Sequence, residues 1–165
     1  MITLVLGGAR SGKSLVAERR AARAGVEVTY VATARVGDDV ELAARVAAHQ
    51  GRRLPHWVTV ECDGDLRGVL EQTSGTVLVD SLGPWLAAMP NLSTDVWALC
   101  AVLVARAGDT IVVSDEVGLG VHPSTALGRA FRDALGELNQ AIASVADEVL
   151  LVVAGRVLPL QSGGF

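Results

Sequence analysis

The stretch Gly7 to Ser14, GGARSGKS, decides the fold. An apolar run, Ile2 to Leu6, precedes it and a helix-forming segment, Leu15 to Ala24, follows, so strand, glycine-rich turn and helix arrive in the order a phosphate cradle needs. The stretch has the G-x-x-x-x-G-K-[ST] pattern of a Walker A loop. Gly7, Gly8 and Gly12 are read as positions where the backbone takes conformations closed to residues with a Cβ, which turns successive N–H groups toward phosphate oxygens. Lys13 then sets a positive charge between the β- and γ-phosphates, and Ser14 offers a hydroxyl to Mg²⁺. The helix N-terminus adds its own partial positive charge.

A chain of 165 residues holds one α/β domain with a substantial core and is short for two. We read one domain, residues 1–160, with a loose tail at 161–165 that carries Ser162, Gly163 and Gly164. Half the residues are hydrophobic, mostly Ala, Val and Leu, and aromatics are scarce, which suits a parallel sheet covered by helices on both faces. The formal net charge of −4, with no block of Lys or Arg, argues against nucleic acid as a partner. No apolar run approaches the roughly 18 residues that cross a bilayer, and the N-terminus enters a strand without a basic leader, so the sequence reads as cytoplasmic. Cys62 and Cys100 have no ligand-like spacing and read as small buried hydrophobes, neither disulfide nor metal site.

Downstream, Val28 to Ala32 reads as a second buried strand whose end delivers Thr33, Ala34 and Arg35 to the edge where ligands sit in open α/β sheets. Asp38 with Glu41, and Gly51 as a stop, mark a helix over 38–50. Val40, Ala43, Ala44 and Ala47 form its apolar stripe. His49 falls nearly opposite that stripe, beside Arg45, Arg52 and Arg53. It is therefore either a surface residue or a nucleophile toward phosphorus, kept neutral by arginines that also hold a triphosphate; spacing leaves both open.

Trp57 to Glu61 reads as a short strand ending in an acid, and Asp63 or Asp65 opens a helix to about Gln72. Thr76 to Val79 is a buried strand ending in Asp80, where an acid either supplies a second Mg²⁺ contact or caps a helix. Ser81 to Met89 reads as a turn into a short helix stopped by Pro90. Ser93 to Ala107 is helical, and Thr110 to Ser114 is a strand followed by Asp115 and Glu116. The glycine-rich loop VGLGVHP is then a candidate substrate loop, and its His122 reads as a loop surface residue in preference to a catalytic one. Ser124 to Ala146 is the longest helix, with Leu127, Phe131, Leu135, Leu138 and Ile142 as its apolar face, and Glu148 to Ala154 is the last expected strand. Strand and helix alternate throughout, which predicts a mainly parallel sheet with right-handed crossovers.

Together these segments resemble the bifunctional adenosylcobinamide kinase and adenosylcobinamide-phosphate guanylyltransferase family of cobalamin synthesis. The carrying motifs are GGARSGKS, YVAT at Tyr30, RVAAHQGRRLPHW from Arg45, VDSLGPWL at Val79, EVGLGVHP at Glu116, and the long stretch from Gly128. The resemblance implies a RecA-like P-loop NTPase fold, a homotrimer, and two reactions. In one, the γ-phosphate of ATP or GTP passes to the aminopropanol hydroxyl of adenosylcobinamide. In the other, GTP guanylylates a histidine, matched here by His49, and GMP moves on to adenosylcobinamide phosphate with loss of pyrophosphate.

By the same resemblance the GTP-binding positions are Gly7, Gly8, Ala9, Arg10, Ser11, Gly12, Lys13, Ser14, Thr33, Ala34, Arg35, Gln50, Gly51, Arg52, Arg53, Glu61 and Asp80. Lys13 is carried over as catalytic with His49, and Ser14 and Asp80 as the Mg²⁺ contacts. Glu116 is the candidate base of the kinase step. The chain departs from the pattern at Gln50, Gly83, Pro84, Ser114, Asp115, Ser124 and Thr125, positions that touch guanine and corrinoid contacts more than phosphate chemistry. Two rival readings are a single-activity P-loop kinase for a small metabolite, with His49 idle, and a RecA-like regulatory ATPase.

Overall fold

The computed structural model describes residues 1–24, 27–33 and 55–163. Its strands are β1 (Ile2–Gly7), β2 (Val28–Ala32), β3 (Val58–Glu61), β4 (Thr76–Asp80), β5 (Thr110–Asp115), β6 (Glu148–Val153) and β7 (Arg156–Leu160). Its helices are α1 (Lys13–Ala24), α2 (Leu66–Gln72), α3 (Leu82–Ala87), α4 (Val96–Ala105) and α5 (Ala126–Val145), with a short 3-10 turn at Pro90–Leu92. The strands form one sheet in the order β3-β2-β4-β5-β1-β6-β7. All neighbouring pairs are parallel except β6 and β7. The expected helix over 38–50, and with it His49, lies outside the described residues.

Alternation along the strands splits the core in two. Val5, Leu78, Ile111 and Val113 face α1, whose Ala17 and Ala21 are fully buried. Two small side chains at i and i+4 let that helix lie close on the sheet, bringing its N-terminus over the end of β1. On the other face Leu4, Val77, Val79 and Val112 pack with Leu70 of α2, Leu82 and Leu86 of α3, Leu99 and Leu103 of α4, and Leu135, Leu138 and Ile142 of α5. Both cysteines join this second core, and burial pushes the Cys100 thiol above its ordinary value.

Caps explain where the helices begin. Asp65 accepts from Gly68 N at 2.9 Å, Asp95 from Ala98 N at 3.0 Å and Thr125 from Gly128 N at 3.0 Å. These settle the start expected at Asp63 or Asp65 in favour of Asp65. They also set the starts of α4 and α5 one to three residues later than the sequence suggests. At the far end of the sheet, Arg106 closes several open backbone groups at once. Its guanidinium donates to the carbonyls of Leu70, Thr73 and Gly75 and to Thr110 Oγ1. Burial lowers the proton affinity of that guanidinium from its ordinary value.

Two expectations change. The chain does not end its sheet at Ala154: Ala154 and Gly155, with φ of 49° and 73°, form a two-residue turn into β7, which pairs antiparallel with β6. Positive φ at both turn positions is the conformation that matches strand twist in a tight hairpin. Pro159, which lacks an N–H, is tolerated because β7 is an edge strand. Second, the apolar face of α5 is fully buried only from Leu135 on: Phe131 packs against the core partly buried, and Leu127 is 70% exposed.

Candidate active site

The Walker A segment occupies the carboxyl end of β1, between the ends of β5 and β6. Its glycines have different jobs. Gly12 takes φ +93°, and a Cβ there would lie 3.4 Å from Gly155 Cα. Gly7 is required by crowding, since a Cβ would meet Ser11 Oγ at 2.5 Å and Val152 O at 2.8 Å. Gly8 is needed for neither reason: its φ lies outside the left-handed region and its Cβ position is open. That open space lets a ligand come close to the backbone. The loop's left-handed non-glycine residue is Arg10, with φ 56°. Ser11 ties the loop together, its Oγ accepting from Lys13 N at 3.3 Å and its carbonyl accepting from Gly155 N at 2.8 Å. The hairpin missed in the sequence thus braces the cradle.

Two acids come from neighbouring strands to meet the loop. Asp80, at the end of β4, accepts from Ser14 Oγ at 3.3 Å through Oδ1 and from Tyr30 Oη at 2.8 Å through Oδ2. A hydroxyl and a carboxylate side by side at a phosphate cradle are the hard oxygen donors that Mg²⁺ takes from proteins, the remainder coming from phosphates and water. Asp115, at the end of β5, pairs with Gly7 in the strand register and places Oδ1 2.8 Å from Lys13 Nζ. Tyr30 and Asp115 were missed as site residues. Tyr30 read as a strand position and as the first residue of YVAT, neither of which assigns its hydroxyl a role. Asp115 stood after an apolar strand, the pattern that marked Asp80.

The other expected residues divide. Thr33 is a buried pin, its Oγ1 donating to Ser81 O at 2.6 Å and accepting from Ser81 N at 2.8 Å, which fixes the chain next to Asp80. Glu61 ends β3 in register with Ala32, which is itself in register with Asp80. It is exposed and stands two strands, about 10 Å, from the acid at β4. Glu116 turns back on its own loop, where Oε1 accepts from Gly118 N at 2.6 Å. His122 lies against Arg132, with Nδ1 2.9 Å from Nη1, on an exposed loop as expected. Ala34, Arg35, His49, Gln50, Gly51, Arg52 and Arg53 lie outside the described residues. Beyond the ends of β2, β3 and β4, a cavity of about 200 Å³ opens beside Thr33, lined also by Asp63, Gly64, Trp85 and Met89. Trp85 Nε1 braces its wall by donating to Gly64 O at 2.9 Å.

A lysine in a glycine turn on β1, an acid on β4, and one strand inserted between them define the class: a P-loop NTPase with RecA-like strand order. A solved ATPase from the type III secretion system of pathogenic bacteria shares that fold, with a TM-score of 0.50 and 10% identity, the match covering 98% of this chain and 59% of that one.

The sequence is more specific. The profile of the family described as cobinamide kinase / cobinamide phosphate guanyltransferase matches residues 3–160. The chain is 42% identical over 170 residues to the bifunctional adenosylcobalamin biosynthesis protein CobP of Pseudomonas aeruginosa, covering 98% of both chains. It is 37% identical to the protein of that description, CobU, from Salmonella typhimurium, and 34% identical to CobU of Escherichia coli, each over 177 residues, 94% of this chain and 97% of the relative. The chain belongs to the cobinamide kinase / cobinamide phosphate guanyltransferase family, a family of bifunctional enzymes. Among the described residues, no helix is long and apolar enough to cross a membrane.

Proposed function

We propose that this chain performs both reactions on one phosphate cradle. It passes the γ-phosphate of ATP or GTP to the aminopropanol hydroxyl of adenosylcobinamide. It then moves GMP from GTP, through a GMP-histidine at His49, to adenosylcobinamide phosphate, giving adenosylcobinamide-GDP and pyrophosphate. The observation that carries this reading is the cradle of Gly7 to Ser14, with Lys13 and Ser14 facing acids on β5 and β4, in a chain of this family.

In this reading the backbone of Gly7 to Ser14 holds the phosphates, and Lys13 neutralises charge that builds on the transferring group and on the leaving oxygen. Ser14 and Asp80 would hold Mg²⁺, with Tyr30 fixing the carboxylate's orientation. The ion would supply electrostatic relief to the phosphates. In this proposal His49 supplies a ring nitrogen for the α-phosphorus, and Ala34, Arg35, Gln50, Gly51, Arg52 and Arg53 have nucleotide-binding roles along with Thr33 and Glu61. Splitting nucleotidyl transfer into two displacements lets one pocket serve both halves. We place the reaction in the cytoplasm and the chain in a homotrimer. Trp97 and Val104, seven residues apart on α4 and 76% and 61% exposed, offer apolar surface for subunit contact.

The test is incubation with GTP labelled at the α-phosphate. Acid-labile label should appear on the wild-type chain, vanish in His49→Ala and transfer to adenosylcobinamide phosphate. A wild-type chain that takes no label but phosphorylates adenosylcobinamide would leave only the kinase half.

A further inference from the structure

The cation of the phosphate cradle already has an anion. Lys13 Nζ lies 2.8 Å from Asp115 Oδ1 and 3.3 Å from the carbonyl of Gly8. The Lys13 side chain is only 13% exposed, and that of Asp115 28%. An ammonium group has three protons to give. With two directed at Gly8 and Asp115, one remains, whereas a lysine bridging β- and γ-phosphates uses two.

Asp115 is held so that this contact persists. Its backbone pairs with Gly7, the adjoining Glu116 N donates to Gly7 O at 3.1 Å, and its carbonyl accepts from Asn139 Nδ2 at 3.1 Å. Its Oδ2 fills the space in front of Gly83, the second residue of α3, where a Cβ would lie 2.3 Å away. The missing side chain at 83 makes the room in which the carboxylate reaches Lys13. We propose that Asp115 is a positioning residue, the resident counter-ion of Lys13, which incoming phosphate displaces and which Lys13 rejoins as product leaves. The inference rests on the reading that the cradle takes nucleotide phosphates. The pair keeps the lysine extended across the loop when no ligand is present, at a cost in nucleotide affinity.

The sign of the effect separates this role from a purely structural one. By calorimetry on the full chain with the β,γ-methylene analogue of GTP, Asp115→Asn should bind about three- to tenfold more tightly than wild type, with slower dissociation. Asp115→Glu, which restores the charge, should return the affinity toward the wild-type value. Gly83→Ala, whose methyl meets Oδ2, should tighten binding in the same direction, and Gly83→Ala with Asp115→Asn should bind no more tightly than Asp115→Asn alone. In a Lys13→Ala background the effect of Asp115→Asn should shrink. Equal tightening in that background would mean a general repulsion of the triphosphate and would overturn the proposal. So would unchanged or weakened binding in Asp115→Asn, including a kinase that loses turnover at constant affinity, which would make Asp115 a proton acceptor instead. A wild-type chain that does not bind the analogue would take down the functional reading as well, so the two failures are told apart.

Discussion

Asp80 and Asp115 arise from the same local pattern, an acid after an apolar strand, on adjacent strands of one sheet. The structure sets them against different groups of the cradle. Asp80 accepts from two hydroxyls, Ser14 Oγ and Tyr30 Oη, one of which sits on the phosphate loop. Asp115 faces Lys13 Nζ, whose charge it offsets. What an acid does at a phosphate cradle is therefore set by which group the sheet register brings against it. Substitutions at the two ends should part in sign as well as size.

The largest effect belongs to the group both halves of the site depend on. Lys13→Ala should lower kinase turnover and guanylylation alike by about 10³-fold or more, because it removes a cation from the transferring phosphoryl group in a partly enclosed site. Kinase and α-label assays on the same preparation check it. Guanylylation that survives while the kinase is lost would mean that a second site holds GTP.

Next comes Asp80→Asn, expected to cost about 10²-fold in turnover and to raise the Mg²⁺ concentration giving half-maximal activity. That loss is opposite in direction to the tighter nucleotide binding expected of Asp115→Asn. Equal responses of the two variants in a nucleotide-binding titration would erase the distinction between the strand ends.

The cradle itself was legible because each of its positions answers a separate chemical demand, and Asp80 because an apolar strand led into it beside a Walker A loop. The partner of Asp115 was not legible. It depends on β5 lying next to β1 with Asp115 opposite Gly7, a register no local pattern carries. Glu116 is the candidate base that the sequence offers, yet its side chain closes onto Gly118 N while its neighbour reaches the lysine. The hairpin was hidden for a different reason. Ala154 stands at a positive-φ turn position where Asn, Asp or Gly is the usual signal, and Pro159 is a residue that strands accept chiefly at a sheet edge, a place no local pattern marks. Helical period gave the face of α5 but not how far it is covered, because Leu127 obeys the period and is exposed all the same.

The smallest effect tests the hydroxyl side alone. Tyr30 is 3% exposed and its ring packs with Val5, Val28 and Leu78 under α1, so Tyr30→Phe keeps the packing and deletes one oxygen. The lost contact is a 2.8 Å hydrogen bond to Asp80 Oδ2, of the charge-assisted kind. Without it the carboxylate loses one of the groups that orient it toward Ser14, and the half-maximal Mg²⁺ concentration should rise about tenfold, the lower end for loss of a group that orients a ligand. Saturating Mg²⁺ should restore most of the turnover, and the thermal midpoint should move little, since a phenyl ring fills nearly the same volume. The phosphate side offers the contrast that makes this informative: Tyr30→Phe should leave the Lys13–Asp115 pair and the Mg²⁺-free affinity for the methylene analogue unchanged. A Tyr30→Phe chain that binds the analogue more tightly without Mg²⁺, as Asp115→Asn is expected to, would show the two acids acting as one charged unit.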